Sequence, residues 1–213
     1  MSQLTTLKFD LKQFNKELQE FHILLSSQRE LNERSEILPF FKARPYLSLG
    51  ISWLGNVLPE TYAHEFNLWG KFQSDLVVGS TSKRHFFFVE FEDATKDSIF
   101  KKIPQKSTSE FSSRFEHGYS QIIDWFYLLN DVSKTRQYET AFGHNSIKYD
   151  GILVVGRSHF LNEKYDETQR LSWRMNHVIV NSKRVLCYTY DELCQALIEM
   201  VEQMSVPNID ING

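Results

Sequence analysis

Residues 72–92 read FQSDLVVGSTSKRHFFFVEFE, which is two apolar runs separated by a short polar segment. Both runs, Leu76 to Val78 and Phe86 to Val89, consist of residue types that favour the pleated surface of a strand. The polar segment between them has the length of a hairpin connection. The stretch therefore predicts two antiparallel neighbouring strands, from Phe72 to Gly79 and from His85 to Phe91.

Three acidic residues accompany these two strands. Asp75 precedes the first apolar run, and Glu90 and Glu92 flank Phe91 at the end of the second. Glu90 and Glu92 share one face because successive side chains of a strand point to opposite sides. We expect Asp75 near them, at the open end of the hairpin.

The register of the hairpin decides which face Asp75 occupies. If Gly79 lies opposite Phe86, then Asp75 lies opposite Glu90. If Gly79 lies opposite His85, then Asp75 turns to the other face of the sheet. The sequence is compatible with both registers.

Converging carboxylates repel one another and raise each other's pKa values unless a cation neutralises them. Their hard oxygen atoms select Mg²⁺ or Mn²⁺, ions that promote phosphodiester hydrolysis. By spacing alone, the solvent face of an edge strand explains the acids equally well. The four apolar residues before Glu90 favour a strand buried on both faces, where acids are harder to explain as a solvated face.

The composition fits one globular domain. Of 213 residues, 41% are hydrophobic and 24% are charged, and the formal net charge is −3. The first ten residues lack the apolar run of a signal peptide, and no stretch is long enough to cross a membrane, so we expect a cytoplasmic protein without membrane contact. We divide the chain into a helical segment (1–55) packed on a core (56–204) and a flexible tail (205–213).

Further elements follow from apolar periodicity and predict a mixed α/β domain. A strand from Asp150 to Gly156 is apolar on both faces and should be central in the sheet. The predicted helices run from Leu11 to about Leu25, Glu110 to Asn130, Asn162 to Asn176, and Asp191 to Met204, the last capped by Thr189. A hairpin-like pair is predicted from His177 to Val180 and from Val185 to Tyr188.

The segment from Asp93 to Ser109 is predicted to be a long basic loop. It contains Lys96, Lys101, Lys102 and Lys106, and Asp97 is the one acid between the first and last of these lysines. Such a loop is suited to holding the phosphate backbone of DNA. A loop that is merely solvated is the alternative.

Asp75, followed after fourteen residues by Glu90-Phe91-Glu92, resembles the PD-(D/E)XK nuclease signature. The surrounding motifs make the resemblance more specific. They are Ser74 to Val78, Val89 to Glu92, Gln121 with Trp125, Gly151 to Arg157, and Leu186 to Leu193. Together they are similar to the Shedu family of bacterial anti-phage defence nucleases, from about Phe14 to Leu197.

This resemblance implies a restriction-endonuclease-like PD-(D/E)XK core with a mixed central sheet flanked by helices. It also implies DNA cleavage with Mg²⁺ or Mn²⁺, assembly into a homo-oligomer, and contact with other defence-system subunits. Asp75 and Glu90 would bind the metal, the Phe91 carbonyl would add a ligand, and Gln121 would face the site. By spacing alone, Gln121 fits the polar edge of an amphipathic helix better, although Gly118 one turn earlier favours close approach to the sheet.

One departure from the signature concerns Glu92, which stands where the family pattern usually has lysine. A carboxylate reverses the charge at this position, so Glu92 is interpreted as a catalytic base or a further metal ligand. The alternative is a catalytically degenerate module that binds nucleic acid or a partner protein without cleaving.

Overall fold

The computed structural model describes residues 3–205 and has a mixed sheet of six strands flanked by helices. The sheet has the order β1-β2-β3-β4-β7-β8, and β5 pairs with β6 in a small separate sheet. The strands are β1 (Thr5–Thr6), β2 (Thr61–Leu68), β3 (Phe72–Ser80), β4 (His85–Phe91), β5 (Phe100–Lys101), β6 (Glu110–Phe111), β7 (Lys148–Val154) and β8 (Val185–Tyr188).

The helices pack on both faces of this sheet. They are α1 (Leu11–Ser27), α2 (Leu38–Lys42), α3 (Pro45–Gly50), α4 (Ser113–Asp131), α5 (Arg136–Phe142), α6 (Glu167–His177) and α7 (Tyr190–Ser205). Short π and 3-10 helices cover Glu33–Ile37, Ile51–Gly55, Ser158–Phe160 and Glu163–Tyr165. No described helix combines the length and the apolar character that crossing a bilayer requires.

The centre of the sheet follows the sequence prediction. Strand β3 pairs antiparallel with β4, and Gly79 lies opposite Phe86. This is the register that directs Asp75 towards Glu90. Strand β7 runs parallel to both β4 and β8, so its position between them confirms the prediction of a central strand.

Two hydrophobic cores lie on the two faces of the sheet. One contains side chains of α1, α2 and α7, and the other contains side chains of α4, α5 and α6. The helices before residue 56 share the first core with β3 and β4. The boundary between 55 and 56 therefore stays a prediction.

The predicted hairpin-like pair after His177 is wrong. Val180 and Lys183 form only an isolated bridge, and β8 pairs with β7 instead. Asn181 and Ser182 adopt positive φ values, as in a two-residue hairpin turn, but the pairing does not extend beyond this one bridge.

Other predicted boundaries shift for local reasons. Helix α6 begins at Glu167 because Asp166 has a left-handed φ of 53° and separates the helix from the preceding 3-10 turn. The basic loop contains β5, which pairs with β6. Thr189 caps α7 as predicted, since its Oγ1 accepts the N–H of Glu192 at 3.1 Å. Ser205 belongs to α7, and the rest of the predicted tail (206–213) lies outside the described residues.

Candidate metal centre

A polar cavity of about 310 Å³ lies where β4 ends beside α4. It is lined by the acids Glu33, Asp75, Glu90, Glu92 and Asp93, by the basic side chains Arg34, Arg114 and His117, and by the amides Asn32, Gln73 and Gln121. We call this cavity the acidic pocket. It contains the three acids predicted from sequence, together with Gln121.

Asp75, Glu90 and Glu92 come together because of strand alternation. Asp75 on β3 and Glu90 on β4 lie on the face of the sheet that packs against α4, and Glu92 follows β4 on the same side. Glu90 is 6% exposed and Glu92 is 1% exposed. Few glutamates are buried to this extent without a partner of opposite charge.

The carboxyl group of Asp75 is held by the main chain of β4. Its Oδ2 accepts the N–H of Phe91 at 2.8 Å. The Phe91 ring stacks on Phe41 in the core on the other face, at 4.4 Å between centroids, so Phe91 can offer the pocket only its main chain. Burial raises the pKa of Asp75; the Phe91 N–H lowers it, and the charges of Glu33 and Glu65 raise it further.

Glu90 is the acid with the least compensation. Its Oε1 accepts a hydrogen bond from Gln121 Nε2. Its Oε2 is buried and accepts no hydrogen bond from a described residue, although the Glu90 carboxyl group lies close enough to Asp75 for a hydrogen bond between the two acids to lower the pKa of Asp75. Burial raises the pKa of Glu90 well above its ordinary value, and the neighbouring charges of Asp75 and Glu92 add to this effect.

Helix α4 reaches the acids because Gly118 has no side chain. A Cβ atom at Gly118 would lie 2.7 Å from Leu153 Cδ1 and 3.0 Å from Glu92 Cγ. The close approach that the sequence suggested is therefore present. It brings Gln121, one turn further along, to Glu90.

Arg114 is a pocket residue that the sequence prediction missed. Its Nη1 lies 2.9 Å from Glu92 Oε2 and 3.4 Å from Glu33 Oε2, and its Nε lies 3.1 Å from Asp93 Oδ2. The spacing of Arg114, Gly118 and Gln121, at intervals of four and three, was the signal that could have placed all three on one face of α4.

The pKa of Glu92 rises to about 7, chiefly because the carboxyl group is buried. The hydrogen bond from Arg114 lowers it, and the charge of Glu33 raises it. Glu92 therefore titrates near neutral pH even though a guanidinium group is in contact with it.

Glu33 comes from the segment before the predicted core and was also missed. Its N–H donates to Asp93 Oδ1 at 2.7 Å, and Leu31 forms a bridge with Ala94. Burial and the charge of Asp93 raise the pKa of Glu33. The acidic pocket is thus built partly from residues that precede position 56.

The four lysines predicted to bind DNA are exposed, and none of them lines the acidic pocket. Lys106 forms an ion pair with Glu110. Lys102 Nζ lies 5.6 Å from the centre of the Tyr165 ring. The main-chain N–H of Lys96 donates to Glu30 Oε1 at 3.1 Å.

Asp75 and Glu90 are the pocket residues best suited to hold a metal ion. Their oxygen atoms are hard donors, and one oxygen of Glu90 lacks a partner. Within residues 3–205, no group of three or more His, Cys, Asp or Glu side chains has the arrangement of a complete metal site. A cation at these two carboxylates would need further oxygen ligands, such as a main-chain carbonyl, water or a phosphate.

The uncompensated Glu90 carboxyl predicts an unusual dependence of stability on pH. The pKa values of Asp75 and Glu90 are raised in the folded protein, so the folded state favours the protonated acids. The contribution of these acids to stability is therefore fully present below about pH 4, the pKa of the unfolded chain, and is lost as the pH rises through the raised pKa values. In the presence of chelator, Glu90→Gln should raise the melting temperature at pH 8 by about 2–4 °C, which corresponds to about 1 kcal/mol in the free energy of unfolding. The variant should also lose less stability than the wild type between pH 5 and pH 8. Differential scanning calorimetry measures both effects.

The control variant is Glu110→Gln, which changes a half-exposed glutamate paired with Lys106 outside the pocket. It should leave the pH dependence unchanged. A clear loss of stability in Glu90→Gln at pH 8 would mean that the ionised carboxylate stabilises the fold.

Comparison with known proteins agrees with the resemblance found in the sequence. A search of curated proteins gives no match to this chain. The family model described as Shedu protein SduA, C-terminal, matches residues 30–194, a range that contains β2 to β8, α4 and every residue lining the acidic pocket. The chain therefore belongs to the Shedu SduA C-terminal family.

Proposed function

We propose that this protein is a nuclease with a PD-(D/E)XK core, which hydrolyses DNA phosphodiester bonds with Mg²⁺ or Mn²⁺. Membership of the Shedu family suggests that it acts in anti-phage defence. The observation that carries the proposal is the buried Glu90 carboxyl group, which has one unpartnered oxygen and lies beside Asp75.

A divalent cation would resolve the electrostatic cost of this arrangement. Ionised carboxylates without a partner are strongly disfavoured in a buried site, and proximity of a second acid adds to the cost. Asp75, Glu90 and the main-chain carbonyl of Phe91 are the proposed ligands. When bound, Mg²⁺ supplies a water molecule of lowered pKa and stabilises charge on the phosphoryl oxygens.

The other polar groups of the pocket position these acids. Gln121 holds Oε1 of Glu90, and the N–H of Phe91 holds Oδ2 of Asp75. Such hydrogen bonds fix the orientation of ligand groups. Glu92 is the proposed general base, because a pKa of about 7 lets a carboxylate accept a proton at neutral pH.

DNA must approach a pocket that is itself strongly acidic. We assign attraction of the DNA backbone to Lys96, Lys101, Lys102 and Lys106, whose exposed side chains lie outside the pocket walls. We also propose that the protein assembles into a homo-oligomer and contacts other subunits of a defence system.

Cleavage assays test the proposed reaction directly. With Mg²⁺ or Mn²⁺, the wild-type protein should cleave at least one of linear, circular and single-stranded DNA, and chelator should stop the reaction. Asp75→Asn and Glu90→Gln should each reduce cleavage below detection, because each removes a metal ligand. The circular dichroism spectrum of both variants should stay that of the wild type. Glu199→Gln, which changes an exposed glutamate of α7 outside the pocket, should cleave like the wild type. Binding of DNA without cleavage under all these conditions would instead support a degenerate binding module.

Salt dependence tests the assignment of the lysines. Replacing both Lys101 and Lys102 with Gln should weaken DNA binding and flatten the slope of log affinity against log salt concentration by about one to two units. Fluorescence anisotropy measures this slope. The matched control replaces Lys12 and Lys16, two exposed lysines on α1, which packs on the opposite face of the sheet. Equal slopes for the two double variants would remove the basic loop from the interface.

A further inference from the structure

The acids of the pocket form two groups that differ in how their charge is balanced. Asp75 and Glu90 have no basic side chain in hydrogen-bond contact among the described residues, and one oxygen of Glu90 has no partner. Glu33, Glu92 and Asp93 instead surround the guanidinium group of Arg114. One group lacks a cation, and the other already contains one.

Arg114 holds the second group through separate nitrogen atoms. Nη1 contacts Glu92 and Glu33, and Nε contacts Asp93, with all three N···O distances between 2.9 and 3.4 Å. The Glu92 side chain is 2% exposed, so water cannot replace this contact easily. A guanidinium group suits such a position because it is always charged and has several donors in a rigid plane.

We propose that Arg114 takes the place of a second metal ion, so that the pocket binds one divalent cation, at Asp75 and Glu90. This inference rests on the proposed metal-dependent function. It assigns Arg114, and not a second ion, as the cation that holds the Glu92 carboxyl group.

The sequence of β4 explains why a cation is needed there. Glu92 occupies the position where the resembled signature usually has a lysine, so its side chain brings a negative charge where a positive one is usual. Arg114 restores a positive charge from α4. The absence of a side chain at Gly118 lets the first turn of α4 lie close enough for this contact.

Asp93 and Glu33 complete the arrangement from outside β4. Asp93 contacts Arg114 through Oδ2 and accepts the N–H of Glu33 through Oδ1 at 2.7 Å. The segment before the core is therefore fastened to the same cation that holds Glu92. Without Arg114, these three acids would lose the basic side chain that forms ion pairs with all of them, and Arg34 acts electrostatically on Glu33 without such an ion pair among the described residues.

The test counts the Mn²⁺ ions bound by the full chain, using isothermal titration calorimetry without DNA. Wild type should bind one ion. Arg114→Met should bind two, because the acids left without the guanidinium group can hold a second cation. Arg114→Lys, which keeps the positive charge, should bind one ion. The control is Arg174→Met, which removes a paired arginine that contacts Glu116 at 2.6 and 2.8 Å outside the pocket, and it should also bind one ion.

Glu92→Gln keeps the test decisive if Arg114→Met does not fold. This variant should still bind one ion with wild-type affinity, because Glu92 is not a metal ligand, although cleavage should fall because the proposed base is removed. Combining Arg114→Met with Glu92→Gln should return the count to one.

Two ions in the wild type, or loss of an ion in Glu92→Gln, would overturn this inference and leave the proposed metal-dependent function standing. A count of one in a folded Arg114→Met, with unchanged affinity, would also overturn it. No Mn²⁺ binding by the wild type would overturn both the inference and the proposed function.

Discussion

Burial of the Glu90 carboxyl group beside Asp75 is the interaction on which the rest of the pocket depends. Burying two acids together costs free energy, and the fold does not offset this cost with a basic partner for either of them. The register of β3 and β4 imposes the contact, because Gly79 opposite Phe86 directs Asp75 towards Glu90. The apolar sheet around them is covered by helices on both faces, and in this setting Glu90 is buried and Asp75 is half-buried. An arrangement with this cost is more typical of a functional site than of a structural one.

Positive charge is distributed unevenly among the acids of the pocket. Arg114 neutralises the acids at the pocket wall and fastens the segment containing Glu33 to the end of β4. Gln121, on the same face of α4, gives Glu90 a neutral partner that fixes its orientation without removing its charge. One helix face thus supplies a cation to one group of acids and leaves the other group without one. The predicted boundary at residue 55 does not separate the residues of the acidic pocket from the rest of the chain, since Glu33 lies before it.

The parts of the fold that could be predicted are those with strong periodicity. The apolar runs of β3 and β4 and the doubly buried β7 identified the centre of the sheet, and the acids at the ends of these runs identified the pocket. Strand β2 was not predicted, because its polar residues and the positive φ of Glu65 hide the usual alternation. The register was left open, since both choices kept the apolar residues in pairs. Arg114 and Glu33 were missed because charged residues in the first turn of a helix are common, and only tertiary packing brings them to Glu92.

Anomalous scattering from a crystal of the protein soaked with Mn²⁺ would show directly whether Asp75 and Glu90 bind the ion. We expect one peak in contact with carboxylate oxygens of Asp75 and Glu90, with the guanidinium group of Arg114 still between Glu92 and Asp93. The Glu90→Gln variant, soaked in the same way, should lack this peak. No peak at Asp75 and Glu90 in the wild-type protein, at Mn²⁺ concentrations that support DNA cleavage, would contradict the account.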